Sequence, residues 1–312
     1  MMSADYPRSQ MAIPVRHPLV HHVNKWVRAV PLYVMLLPTI AYFVIFTYYP
    51  LLHSIFISMQ NFNLIGNRPY VGLHNYRHVL TDPTFWSSFE NTLFLGISIL
   101  LIGFVAPIIM ALSLNEVLSS WLKRTVQMVI YLPHLFSWVV VGGLWIQLLA
   151  PDGGLVNAVL QVMGIAPVQF MSDPNLARWV IILVSVWKDV GFNTVIYLAA
   201  MVGINPALYE SARVDGANRW HEMGYITIPS LARTMQVVGL LSIMGVLRLF
   251  DQIYVMRNAV IEPQVNVLMT YVYDMGFQEM NIGRATASAL LILIFTLILT
   301  LFTQRLIRVD HS

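Results

Sequence analysis

Four charged residues lie inside apolar runs of this chain: Lys188, Asp189, Arg248 and Asp251. An unpaired charge at the centre of a membrane helix costs about 2.5–3.5 kcal/mol on insertion scales, so each must pair or face water. Arg248 and Asp251 stand at i,i+3 and can neutralise one another on one helix face. Lys188 and Asp189 are adjacent, point to different faces, and need partners elsewhere. A functional reading groups these four with Trp145, Gln147, Trp187, Asn193 and Tyr197 as the lining of a polar path across the membrane. Trp145 and Tyr197 equally suit plain packing between helices.

Bond-breaking chemistry finds little footing. His221-Glu222 begins a zinc-protease pair, but the second ligand position is occupied by Tyr225. The Gly-x-Ser-x-Gly nucleophile elbow is missing, and so is the Gly-x4-Gly-Lys-[Ser/Thr] loop that cradles phosphates. Any ATP must therefore be hydrolysed elsewhere. His17, His21 and His22 raise a metal reading, since 17 and 21 share a helix face. Pro18 argues against a helix entering from before it, and no carboxylate lies near in sequence, so a solvated tail is expected. No metal site is predicted.

These residues sit in a chain of 312 residues, 57% hydrophobic and 11% charged, against about 25% charged in soluble domains. This is the composition of a membrane protein. The net charge of +3 reads as basic cytoplasmic loops rather than a nucleic-acid surface. The absence of Cys excludes disulfides and thiolate metal sites within the chain. Residues 1–30 scatter Arg8, Arg16, Lys25 and Arg28 among Pro and His, unlike a cleaved signal peptide, and read as a cytoplasmic tail.

A span needs about 20 apolar residues. Six are predicted, at 31–58, 90–114, 124–150, 178–203, 231–256 and 284–307, giving an all-α membrane protein. The first is followed by an extracytoplasmic loop at 59–89, the other five form a core over 90–307, and 308–312 is a cytoplasmic end. With the N-terminus inside, eleven Lys and Arg fall on the cytoplasmic side and five outside. Both termini are then cytoplasmic, and the polar segment between the fourth and fifth spans is the last cytoplasmic loop.

That segment, 205–229, reads as two short helices with a break. Asn205 caps the first, with Pro206 at its first position. Asp215 and Arg219 stand at i,i+4, acid first. Gly216 is the interruption, Asn218 caps the second piece, and Pro229 sets its end.

Here a resemblance becomes specific. Glu210, Ala212, Gly216, Ile226 and Pro229 match the E-A-A-x3-G-x9-I-x-L-P loop of the membrane subunits of ATP-binding-cassette importers, with Ser211 and Ile228 as mild departures. The run Glu210 to Ala217 resembles the carbohydrate branch, whose maltose-type permeases are best known. Val71-Gly-Leu-His-Asn75-Tyr, Gly153-Gly154-Leu155-Val156-Asn157, Trp187-Lys188 with Gly191-Phe192, and Leu249 to Tyr254 are similar to further signatures of that branch. One departure is the outer segment Arg257 to Pro263, which lacks the glycines often found there.

The resemblance implies the type I importer permease fold, a location in the bacterial inner membrane, and a transport role without catalysis. It implies that Glu210, Ala212, Asp215, Gly216, Ala217, Ile226 and Pro229 couple the chain to an ATPase. It further implies a second homologous permease, two ATPase subunits carrying ATP and Mg, and an extracytoplasmic solute-binding protein. The carboxylates, amides and aromatic faces of the candidate path suit sugar hydroxyls and C–H faces. A glycerol phosphodiester or polyol on the same architecture stays open at this stage, as does a non-transporting membrane scaffold.

Overall fold

The computed structural model describes residues 21–62 and 67–309, with the backbone alone for 21–29 and 306–309. His17, the side chains of His21 and His22, and Asn63 and Gly66 of the first loop lie outside the described residues. Two units separate at Ser54. In the first, α1 (His21–Phe43) passes through a π turn at Val44–Tyr48 into α2 (Tyr49–Ser58). Helix therefore begins within the stretch read as tail, although the apolar span itself starts at Val30. The π turn sits just before Pro50, whose missing N–H leaves a ladder bond unmade that the wider turn absorbs.

The second unit opens with α3 (His74–Thr81) and α4 (Pro83–Asn115). The predicted loop at 59–89 is thus part helix. Asp82 caps α4 by accepting from Thr84 N–H, and Pro83 takes its first position, so the helix starts seven residues before the predicted 90. Asn75 of the Val-Gly-Leu-His-Asn signature is buried and donates to the Ser58 and Gln60 carbonyls, which fixes the return from α2.

The largest correction falls on the third span. Residues 124–150 do not form one helix. They form α5 (Ser120–Leu135) and α6 (Trp138–Leu148), bent by 103°. Pro133 removes a donor from the end of α5, Phe136 is extended, and Ser137 begins again by accepting from Val140 N–H. Next come α7 (Leu155–Val162) and α8 (Pro174–Val202). Asn157, fully buried, donates to the Leu149, Ala150 and Val168 carbonyls and accepts from Val168 N–H, closing the turn its signature marks.

Beyond the loop helices α9 (Pro206–Val214) and α10 (Arg219–Glu222), a π turn at Met223–Thr227 leads straight into α11 (Ile228–Val246). Pro229 was expected to end the second short helix. It instead lies in the first turn of α11, where no N–H is needed, so one helical run reaches from 219 to 246. The predicted span 231–256 then breaks at Leu247–Phe250 before α12 (Asp251–Met256). The chain finishes with α13 (Glu262–Val265), α14 (Leu268–Tyr273) and α15 (Ile282–Val309). Among the described residues, five helices are long and apolar enough to cross a membrane, six when the bent pair counts as one span.

α8 is the centre of this unit. Its most apolar stretch is 44% buried, against 17–22% for α4, the 219–246 run and α15, which turn more of their surface outward as lipid-facing helices do. α5 crosses α8 at Gly191, where an added Cβ would strike the Ile130 carbonyl oxygen. Backbone cannot yield as a flexible side chain does, so Gly191→Ala is expected to destabilise by about 1–3 kcal/mol. A lowered thermal midpoint in detergent would show it; an unchanged midpoint would mean that α5 does not pack this closely.

Candidate functional site

Two regions carry the polar residues singled out above. The first is the 205–229 loop. Asn205 Oδ1 accepts from Ala207 N–H at 3.0 Å and starts α9. α9 ends at Val214, and Gly216 follows with φ +80°, a conformation that costs residues bearing a Cβ. The bonds from Ala217 N–H to the Ala212 carbonyl and from Gly216 N–H to the Arg213 carbonyl form a Schellman stop. Asn218 then accepts from His221 N–H and opens α10.

What holds the two pieces together is a pair not singled out from the sequence. Arg213 donates through Nε and Nη2 to the two carboxylate oxygens of buried Glu222, at 2.7 and 3.3 Å. That hydrogen bond and charge push the Arg213 guanidinium above its ordinary range. Tyr209 and Thr227 bond through their hydroxyls at 2.9 Å. The expected Asp215–Arg219 pair is absent among the described ion pairs. The helix stops before Asp215, so i,i+4 spacing has no meaning there, and Arg219 reaches Glu116 beyond the end of α4 at 2.7 Å. The only legible hint of the Arg213–Glu222 pair is opposite charge on either side of a glycine, nine residues apart.

Glu210, Asp215, Gly216 and Pro229 are exposed, and Ala212, Ala217 and Ile226 are half-buried. The same loop leaves Val214, Trp220 and Tyr225 open to solvent. Single exposed apolar residues are ordinary, but three on one short loop, two of them aromatic, together with the uncovered carboxylates of Glu210 and Asp215, make a surface fit for a protein partner.

The second region is a cavity of about 310 Å³ between α4, α6, α8, α11 and α12. Ser185, Asp189, Asn193, Ser242, Gln252 and Trp138 supply its polar and aromatic wall. Of the predicted path residues, only Asp189 and Asn193 belong to this lining; Lys188, Trp145, Gln147, Trp187, Tyr197, Arg248 and Asp251 lie outside it. Trp145 and Trp187 pack edge to face at 5.5 Å, and Gln147 is exposed. Tyr197 is fully buried against a core that includes Ala111 and Leu231, so it packs rather than lines. Arg248 and Asp251 are both exposed and do not pair, because the break at Leu247–Phe250 takes them off a common helix.

Lys188 and Asp189 find one shared partner, His134, at the end of α5. His134 Nδ1 stands 2.9 Å from Asp189 Oδ1, while Lys188 Nζ donates to the His134 carbonyl at 3.2 Å. The two neighbours also approach each other, at 3.9 Å, which their adjacency did not suggest. Lys188 keeps 8% of its side chain exposed and Asp189 49%. The ammonium therefore faces protein and the carboxylate faces the cavity.

The outer segment at 257–263 closes by charge rather than glycine. Arg257 donates through both terminal nitrogens to the two oxygens of Asp274, at 2.6 and 2.7 Å, and to Asn266 at 2.9 Å. The Asp274 carboxylate holds the Arg257 guanidinium above its ordinary range. Arg178 joins the same loop to α4 by donating to the Gln264 carbonyl and to Asn91. Tyr271 donates to Asp82 at 2.7 Å, and burial, then that bond, raises its phenol above the ordinary range.

This architecture is similar to solved transporters. It matches a chain of a bacterial ABC transporter involved in the import of the acidic polysaccharide alginate, at 36% identity and a TM-score of 0.85, over 92% of this chain and 98% of that one. It also matches a chain of a bacterial alginate ABC transporter in complex with an alginate pentasaccharide-bound periplasmic protein, at 35% identity and a TM-score of 0.84, over 90% of this chain and 95% of that one. In sequence it is 36% identical, over 88% of its length and 87% of the relative's, to the polygalacturonan/rhamnogalacturonan transport system permease protein YteP of Bacillus subtilis (strain 168). The fold, the membrane helices and a match over residues 103–309 place this chain in the family of binding-protein-dependent transport system inner membrane components.

Proposed function

We propose that this chain is the permease subunit of an ATP-driven, binding-protein-dependent importer of sugars or oligosaccharides. The observation that carries the reading is the 205–229 helix pair. It is fixed internally by the Gly216 stop and the Arg213–Glu222 pair, yet it leaves Glu210, Val214, Trp220 and Tyr225 uncovered. A rigid, outward-facing pair of helices transmits force; a mobile one would absorb it.

In this reading both termini and the helix pair are cytoplasmic. Two ATPase subunits, holding the ATP and Mg, receive Glu210 in a groove, while Gly216 sets the bend between the two helices. Asp215 and Ala217 flank that bend, Ala212 and Ile226 pack the pair, and Pro229 leads it into α11. Closure of the ATPases draws this pair toward that of a second, homologous permease and turns the path from inward-facing to outward-facing. An extracytoplasmic binding protein then releases sugar into it. This chain's role is conformational and involves no bond-breaking of its own.

The glycerol phosphodiester alternative loses ground on one observation. A phosphorylated solute favours Lys or Arg on the path, whereas Lys188 turns its ammonium away and Arg248 lies outside the cavity wall. The test is purification in detergent with the products of adjacent genes, followed by mass spectrometry. An ATPase, a second permease and a binding protein are expected, with ATP hydrolysis stimulated by sugar-loaded binding protein. Recovery of this chain alone would favour a scaffold and sink the proposal.

A further inference from the structure

The wall of the α4–α6–α8–α11–α12 cavity is unbalanced in charge. Fifteen residues line it, and Asp189 is the single charged one among them. Around it stand hydroxyl and amide groups, Ser185, Asn193, Ser242 and Gln252, with the Trp138 ring as an apolar face. Asp189 Oδ1 is engaged by His134, whereas Oδ2 has no protein partner among the described residues. The nearest cation, Lys188, lies on the protein side of the carboxylate, against the His134 carbonyl and 5.4 Å from the Trp138 ring centre. A solute in this cavity meets the negative end of that pair first.

Resting on the carbohydrate reading above, we infer that this cavity takes an uncharged, hydroxyl-rich glycan, and that Asp189 is the specificity residue that disfavours a carboxylated one. Serines, amides and one carboxylate accept and donate to hydroxyls, and an indole face suits sugar C–H groups. A uronate needs a cation to replace its lost hydration, and this wall supplies none. The relatives named above include an importer of the acidic polysaccharide alginate and a polygalacturonan transport permease, so the inference separates this chain from them in substrate charge.

The chain contains no Cys, so a single introduced thiol is its one labelling site, read on this subunit's own band after the subunits are separated. Ser242→Cys, and Asn193→Cys as a second site should the first fail to insert, would be made in the full importer in membrane vesicles. Labelling rates with a trimethylammonium methanethiosulfonate and a sulfonate methanethiosulfonate would each be divided by the rate for a free thiol in solution. The cationic reagent is expected to be favoured at least about tenfold, the factor that 1.4 kcal/mol represents, and Asp189→Asn, which keeps shape and the His134 contact, should bring the ratio near one. Tetragalacturonate is expected to leave labelling by an uncharged reagent unchanged. A ratio near one with Asp189 in place, a ratio that Asp189→Asn does not alter, or slowing of labelling by tetragalacturonate would each overturn the inference. Whether an ATPase copurifies is read separately, so failure of the importer reading is told apart from failure of this one.

Discussion

Gly216→Asp is expected to leave the protein inserted in the membrane at normal levels while sugar uptake falls by more than about tenfold. Gly216 carries φ +80° and terminates α9 through two backbone bonds. A residue with a Cβ pays about 1–2 kcal/mol for that backbone, which loosens the turn. Nothing lies within 4 Å of a Cβ built there, so no clash within the chain accounts for the loss. The added carboxylate would stand beside Asp215, on the exposed surface that holds Glu210 and that we propose docks the ATPase. Gly216→Asn isolates the charge, because Asn and Asp both enter the left-handed region more readily than other residues with a Cβ and only Asp adds a carboxylate. It should retain most uptake and most ATPase attachment. The readouts are immunoblot of membranes, copurified ATPase, and uptake of radiolabelled sugar. Normal uptake by the Asp variant would remove the coupling role from this loop.

The second large effect is expected from Arg257→Ala. Its side chain is 11% exposed and that of Asp274 18%, and the two are joined by a fork of two short bonds. Removing the guanidinium leaves a mostly buried carboxylate with no cation, for which losses of about 3–5 kcal/mol are usual. The remaining exposure of Asp274 and its bond from Gln278 favour the lower end, about 3 kcal/mol. Arg257→Lys should recover little, since an ammonium cannot make the planar fork. Arg257→Met combined with Asp274→Leu should recover most of the loss, because an apolar pair of similar volume leaves no charge stranded. Thermal unfolding of the four proteins in detergent decides this. Equal midpoints for Arg257→Ala and the unaltered protein would mean that the outer loop is held by other contacts.

Local chemistry determined much of this protein. Apolar run length and the Lys and Arg distribution fixed the class, because hydrocarbon demands about 20 residues of satisfied helix whatever the neighbours are. Asn205, Gly216 and Asn218 announced the helix pair, since a cap or a left-handed turn involves residues only two to five apart. Asn75 and Asn157 were visible only through their likeness to family signatures, because their bonds join positions 7 to 17 apart, beyond the reach of a cap or a tight turn.

Tertiary structure decided what adjacency could not. The 103° bend after Pro133 and the break at Leu247–Phe250 turned two predicted spans into four helices, because a helix at membrane depth can stop only where surrounding protein satisfies the freed backbone groups, and apolar run length does not report that. Those breaks removed the Arg248–Asp251 pairing and brought His134 to Lys188 and Asp189 across 54 and 55 positions. They also settled which residues line the cavity: of the polar residues read from spacing, only Asp189 and Asn193 reach it, while Tyr197 is packed away. Helical periodicity states which side chains share a face. Which face meets a cavity depends on the crossing of helices, set here by contacts such as Gly191 against Ile130 that join residues 61 apart in the chain.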